Sequence, residues 1–318
     1  MKKLVSLLLA LSLLVLSAAA LAQGTWPAKT INVIVTHGAG GDTDYNARLL
    51  SRLLEQKLGV SVVVTNVVGS NGNIAMAQYK DGEKDGYTFV MTNTAALTGN
   101  EVTGISDFGY DAFEPVSIYG RQAGENIIVP VDAPYNTLDE MIAASREKPG
   151  TISFGISTGG GVYIAANLLK YKGNAEFNFV DTGDGAARLA ALLGGHVDAT
   201  IVPYSTAAEY VEAGQVKAIC TLLEESPALI PGIPAANDTV EGVVINTLYA
   251  CLAPKGTPAE IVEAMNAAIL DVVYNSEEYK KEVNSFNFQE PWALNVEETV
   301  AKLSDQRDLF MSVAEYLQ

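Results

Sequence analysis

Residues Ile31 to Arg48 read INVIVTHGAGGDTDYNAR: an apolar strand, a glycine-rich turn and the opening of a helix. No other pattern constrains the fold as much, because a strand that turns through glycines straight into an amphipathic helix belongs to a layered α/β unit. Such a turn leaves the first N–H groups of the helix without partners. The helix dipole adds partial positive charge there, so an anion can be held without a basic side chain. Asp44 is the expected N-cap. Ala47, Leu49, Leu50, Leu53, Leu54 and Leu58 repeat at helical spacing, and Gly59 can end the helix in a left-handed conformation. A tight turn with no ligand is the plain alternative.

The same logic recurs in ISFGISTGGGVYIAANLL, residues 152 to 169, and again where Asp181-Thr182-Gly183-Asp184-Gly185 precedes an apolar helix. Two anion-ready turns far apart in one chain suit a ligand held between two domains. Apolar runs at Ile31–Val35, Val60–Val64, Tyr87–Met91, Ile127–Val129, Ile152–Phe154, Phe177–Val180, Ala199–Val202 and Val216–Thr221 alternate with helical patterns, which argues for parallel sheets. Helix starts are expected at Thr137 with Glu140, at Thr257-Pro258-Ala259-Glu260 and at Thr206 with Glu209. No long linker separates the domains. The pattern shifts near Tyr119–Asn126 and Thr221–Ser226, which suits two hinge crossings. The expected division is residues 23–124 plus 224–318 for one discontinuous domain and 125–223 for the other.

Residues 1–22 read as a signal peptide: Lys2 and Lys3, an apolar run from Leu4 to Leu16, and Ala20-Leu21-Ala22 before the expected cleavage. Export to the periplasm is therefore expected. A net charge of −17 makes nucleic acid or an anionic membrane a poor partner. With two histidines, His37 and His196, a multi-His metal site is not expected, nor is a cofactor. Asp42 and Asp44 share one turn, but no calcium-loop spacing follows. Cys220 and Cys251 both lie in strand-like stretches; an oxidising compartment permits a bridge, and two separate buried thiols are the alternative. Gly155-Ile156-Ser157-Thr158-Gly159 matches the nucleophile elbow of hydrolases, with Asp184 and His196 following in that family's order, although the spacing is short.

The chain as a whole resembles the substrate-binding receptors of tripartite tricarboxylate transporters, the Bug receptors. The resemblance rests on WPAKTINVIV, the Gly40–Asp44 loop, VVVTNVVGSNGNIAMA, KDGYTFVM, YDAFEPVSI, PVDAPYNTLDEMIAASREKPGTISFG, LLGGHVDATIVP and APKGTPAEIVEAMNAAI, in that order. It implies a type II periplasmic binding protein fold, two α/β domains with a ligand cleft between them. It also implies a monomeric receptor, not an enzyme, that closes on a small carboxylate (a di- or tricarboxylate or an acidic amino acid) and delivers it to membrane permease subunits. A receptor for a signalling kinase would use the same cleft. By position in the family, the ligand-facing residues are His37, Gly38, Ala39, Gly40, Gly41, Asp42 and Asp44, then Thr92 and Asn93, then Ser157, Thr158, Gly159 and Gly160, with Asp184 and Tyr204. Gly40 and Gly41 are expected to tolerate no side chain. Arg121, near the first crossing, is the basic side chain placed to reach a ligand's far end, or else a solvated one. The extra acids Asp42 and Asp184 depart from the family's pattern and suit a ligand bearing an amino group as well as a carboxylate.

Overall fold

A computed structural model describes residues 26–227, 229–230 and 232–317. The expected signal peptide lies outside these residues. Two five-stranded sheets form, each covered by helices on both faces. The first has strand order β2-β1-β3-β10-β4, built from β1 (Ile31–Val35), β2 (Val62–Asn66), β3 (Thr88–Asn93), β4 (Phe113–Arg121) and β10 (Leu248–Pro254). The second has order β7-β6-β8-β5-β9, from β5 (Glu125–Pro130), β6 (Ser153–Ile156), β7 (Asn178–Asp181), β8 (Ala199–Pro203) and β9 (Val216–Thr221). In each sheet three neighbouring strands are parallel and the next runs antiparallel: β10 against β3 and β4, β5 against β8 and β9.

The helices that follow these strands are short. α1 (Asp42–Leu58), α2 (Asn73–Tyr79) and α3 (Thr94–Val102) belong to the first lobe. α4 (Leu138–Glu147), α5 (Gly160–Tyr171), α6 (Gly185–Leu193) and α7 (Tyr204–Glu212) belong to the second. α8 (Ala259–Asn275), α9 (Glu277–Asn287) and α10 (Val296–Met311) close the chain. The α1 stripe Ala47, Leu50, Leu54 packs with Val33, Phe89 and Ile269, all fully buried. Gly59 ends α1 at φ 71°, as its position suggested. The second core joins Phe154, Ile164 and Leu168 to Met141 and Ile201.

The chain crosses between lobes at Gln122–Gly124 and again just before β10. The crossings touch, with Gln122 N–H donating to the Thr247 carbonyl at 2.9 Å. Gly124 sits at φ +112°, and a side chain there would press on Thr221 Oγ1 at 2.5 Å. Ala236, Val240, Val243 and Ile245 pack in the second lobe's core, and Ile245 N–H bonds the Leu222 carbonyl at 2.7 Å. Phe310, at the end of α10, is buried in that same core, so the C-terminal helix also spans both lobes.

The possible disulfide is overturned. Cys220 on β9 and Cys251 on β10 belong to different sheets and are both free and buried. Burial pushes the Cys220 thiol up to about 12 and Cys251 higher still, so neither is a ready nucleophile. A thiol titration in denaturant without reductant should therefore count two per chain, and fewer than one in the native protein. A count near zero in denaturant would contradict the separation of these strands.

Candidate functional site

A cavity of about 70 Å³ lies between the lobes, at the carboxyl ends of β1, β3, β6 and β8. In each lobe the sheet's connections reverse direction here, β2 and β3 flanking β1, β7 and β8 flanking β6. This is where open α/β sheets bind ligands. Five helix N-termini contribute lining residues: Asp42 and Thr43 of α1, Ala95 and Ala96 of α3, Gly161 and Val162 of α5, Gly185 and Ala186 of α6, and Thr206 of α7. Their summed dipoles favour an anion. An adjoining groove of about 500 Å³ shares His37, Gly38, Asn71, Ser157 and Asp184, and adds Thr158 and Asp181.

Most of the residues expected at a ligand are brought together. His37, Gly38, Gly41, Asp42, Asn93, Ser157, Gly159 and Asp184 line the cavity, and Thr158 lines the groove. Thr92 is buried beneath it, its hydroxyl accepting from Thr36 at 2.9 Å. Ala39 and Gly40 are exposed and outside the lining. Tyr204 is also outside it, because its ring packs edge-on against Phe288 at 5.0 Å. Arg121 points elsewhere, paired with Glu290 at 3.2 Å on the surface.

Two expectations of local geometry change. Asp44 is not the N-cap: Gly41 occupies that position with extended backbone, and Asp44 sits in the first turn with its carboxylate turned back. It accepts from Gly40 N–H at 2.9 Å, Asn66 at 2.7 Å and Arg48 at 2.9 Å. Burial raises its pKa, but those hydrogen bonds outweigh it and hold the carboxyl below the usual range. Gly41 has φ −77°, and an added Cβ would meet only the Gly38 carbonyl at 3.3 Å, so of the pair only Gly40, at φ +80°, needs glycine's freedom. Asp42 does not face solvent. It is buried and bridges the lobes, taking Gln122 Nε2 at 3.0 Å and Ser205 Oγ at 2.9 Å.

The second loop is organised by Asp181, which accepts the Thr158 hydroxyl and N–H and, at 3.1 Å, Gly183 N–H. Asp184 caps α6 by accepting Ala187 N–H at 3.1 Å. His37 is neutral. Burial drives its pKa down to about 4, and the ring is used up by Thr36 Oγ1 at 2.7 Å and Asn93 Nδ2 at 3.2 Å. The hydrolase triad is not assembled. Ser157 Oγ accepts from Arg188 at 3.3 Å, a guanidinium that cannot act as base, and His196 is exposed.

Two charged lining residues are not among those expected from the sequence. Arg188 on α6 is 5% exposed and is the one permanent cation among the lining residues. Nε donates to the Ile201 carbonyl at 2.7 Å and Nη1 to the Gly183 carbonyl at 2.9 Å. Glu125, the first residue of β5, is 7% exposed. Its Oε2 is buried with no hydrogen-bond partner among the described residues. Burial pushes Glu125 up to about 7 against the pull of Arg188, and burial pushes Asp42 up to about 6 against its two hydrogen bonds.

These shifts give a pH dependence of stability. Folded Glu125 and Asp42 hold a proton more tightly than the unfolded chain does. Both therefore cost stability as pH rises, Glu125 between its ordinary 4.5 and about 7, Asp42 between 3.8 and about 6. His37 has the opposite sign and costs stability as pH falls from 6.5 toward about 4. Acidification from pH 7.5 to 6.5 thus acts mainly through Glu125, and ligand-free protein should melt higher at pH 6.5. Glu125→Gln should be more stable than wild type at pH 7.5 by about 1–3 kcal/mol, and that pH gain should shrink in it. Parallel pH profiles of melting temperature for the two proteins would refute the buried charge.

Two three-layer lobes, joined by paired crossings and facing one cavity at their strand ends, define the periplasmic binding protein fold. The chain belongs to the tripartite tricarboxylate transporter family receptors, whose family model matches residues 46–312. BugT of Bordetella pertussis is 28% identical over 260 residues, covering 79% of this chain and 78% of that protein. A Cupriavidus necator relative is 27% identical over 274 residues, covering 85% and 82%. Among solved structures, the R. palustris protein Rpa4515 with adipate superposes at TM-score 0.84 and 24% identity, over 92% of this chain and 98% of that one. MatC of Rhodopseudomonas palustris with bound malate gives 0.81 at 21%, over 91% and 100%. At these identities the structural likeness speaks for the fold.

Proposed function

We propose that this protein is an exported receptor that captures a small carboxylate by closing its two lobes and hands it to the membrane subunits of a tripartite tricarboxylate-type transporter. The observation that carries the reading is the convergence of five helix N-termini and the buried Arg188 on one cavity. The narrow cavity would seat the carboxylate head, and the adjoining groove the remainder of the solute. Relatives with adipate and malate support this class of ligand. No helix among the described residues is long and apolar enough to cross a membrane. The paired crossings at Gln122–Gly124 and Asn246–Thr247 serve as the hinge, each lobe moving as a body.

A thermal-shift screen over mono-, di- and tricarboxylates and amino acids tests the reading. A true solute at about 100 times its Kd should raise the melting temperature by about 5–10 °C. Silence across the whole panel would remove the carboxylate reading.

A further inference from the structure

The acids lining the cavity are not equivalent. Both oxygens of Asp42 are engaged, by Gln122 and Ser205, and Asp42 and Asp184 both sit at helix N-termini, where negative charge is favoured. Glu125 has no helix N-terminus beside it, and Gln122 is the one hydrogen-bonding side chain that favours its charged form. Glu125 lies at the start of a strand, more than nine-tenths buried, lining the cavity with Oε2 unpartnered. A buried carboxylate oxygen without a donor is destabilising, and such a group persists where a ligand supplies the donor. Across the same cavity Arg188 donates through Nε and Nη1, and its Nη2 makes no hydrogen bond among the described residues. Among the described residues the cavity therefore carries a cationic donor, Arg188 Nη2, and a buried carboxylate oxygen, Glu125 Oε2, that are both unpartnered. Three lining carboxylates against one guanidinium also disfavour a solute that brings only negative charge.

Resting on the reading of this cavity as the solute site, we infer that the solute carries an ammonium group as well as a carboxylate, Glu125 receiving the ammonium and Arg188 with the helix N-termini receiving the carboxylate. Glu125 is then the residue that selects amino acids over plain carboxylic acids.

Matched pairs differing by one ammonium test this by calorimetry at pH 7.5: L-alanine with propionate, L-aspartate with succinate, and L-glutamate with glutarate, on wild type, Glu125→Gln and Glu125→Asp. In at least one pair the amine-bearing member should bind at least about tenfold tighter than its partner. Glu125→Gln should erase that preference without weakening the amine-free partner, and Glu125→Asp should keep part of it. Amine-free acids that bind as tightly as their partners, or a preference that survives in Glu125→Gln, would overturn the inference while leaving the carboxylate reading intact. Absence of binding in every pair would overturn the inference. If the wider carboxylate panel were silent too, the reading beneath it would fall as well. A native circular dichroism spectrum for Glu125→Gln separates lost recognition from lost folding.

Discussion

Arg188→Met should abolish carboxylate binding and destabilise the second lobe by about 3–5 kcal/mol, the range for stripping a buried charge from its partners. The side chain ties three things together: the Ile201 carbonyl on β8, the Gly183 carbonyl in the turn before α6, and the Ser157 hydroxyl in the β6–α5 loop. Methionine fills much of the volume and leaves these acceptors buried without donors. It also removes the only permanent cation among the described lining residues, which leaves Glu125 without that opposite charge. Arg188→Lys should be a weak rescue, because an ammonium cannot span the three acceptors as the planar fork does. Adding Glu125→Gln to Arg188→Met should recover more stability than Glu125→Gln adds to wild type, and that excess is the coupling between the two side chains. Urea denaturation followed by far-UV circular dichroism measures stability, and calorimetry measures affinity. Retained affinity in Arg188→Met would take the arginine out of the site.

Arg188 shows why the sequence disclosed the scaffold better than the chemistry. In GAARLAALL one arginine among apolar residues reads as the solvated stripe of an amphipathic helix. Only the placement of α6 against β8 buries it. Glu125 is equally silent, a single polar residue opening the strand ENIIVP, and nothing in its neighbours says that a hinge glycine folds it inward. By contrast β1 and β9 were legible to the residue, and most other strands to within a few residues, because each leaves a mainly apolar run in the sequence. The longer β4, FEPVSIYGR, was passed over as an apolar run, since polar residues interrupt it.

Loop chemistry was partly legible. The glycines at 38–41 and 159–161 announced two turns that do meet across the cavity, yet the cap position in DTDY was misjudged by three residues. An aspartate is a strong cap in isolation, whereas here Gly41 takes the cap and Asp44 does better by bonding Gly40, Asn66 and Arg48 at once. Tyr204 is expected at the ligand by its position in the family. Its ring swings to Phe288, a contact between residues 84 apart that no local pattern encodes.

Gly99→Ala should weaken solute binding by about 10–100-fold while leaving the ligand-free protein as stable as wild type or more so. Gly99 lies inside α3 of the first lobe and meets the start of α5 of the second. A Cβ there would stand 2.5 Å from Gly160 Cα and 2.8 Å from its carbonyl carbon. Gly160 itself sits at φ +68°, with Asn71 Nδ2 on the side where a Cβ would stand. The contact is backbone on backbone, so no flexible side chain can yield. It exists only when the lobes are together, and one methyl group obstructs that arrangement at an overpacking cost of about 1–3 kcal/mol, the source of the affinity loss. Within α3 itself alanine is the better helix former by about 1 kcal/mol. The two effects therefore have opposite signs. The melting temperature without solute should hold or rise, and the rise on adding solute should shrink. Small-angle scattering reads closure directly: wild type should contract with saturating solute, and the variant should keep its ligand-free radius of gyration. Wild-type affinity in Gly99→Ala would mean that the lobes close on the solute without bringing α3 and α5 into this contact.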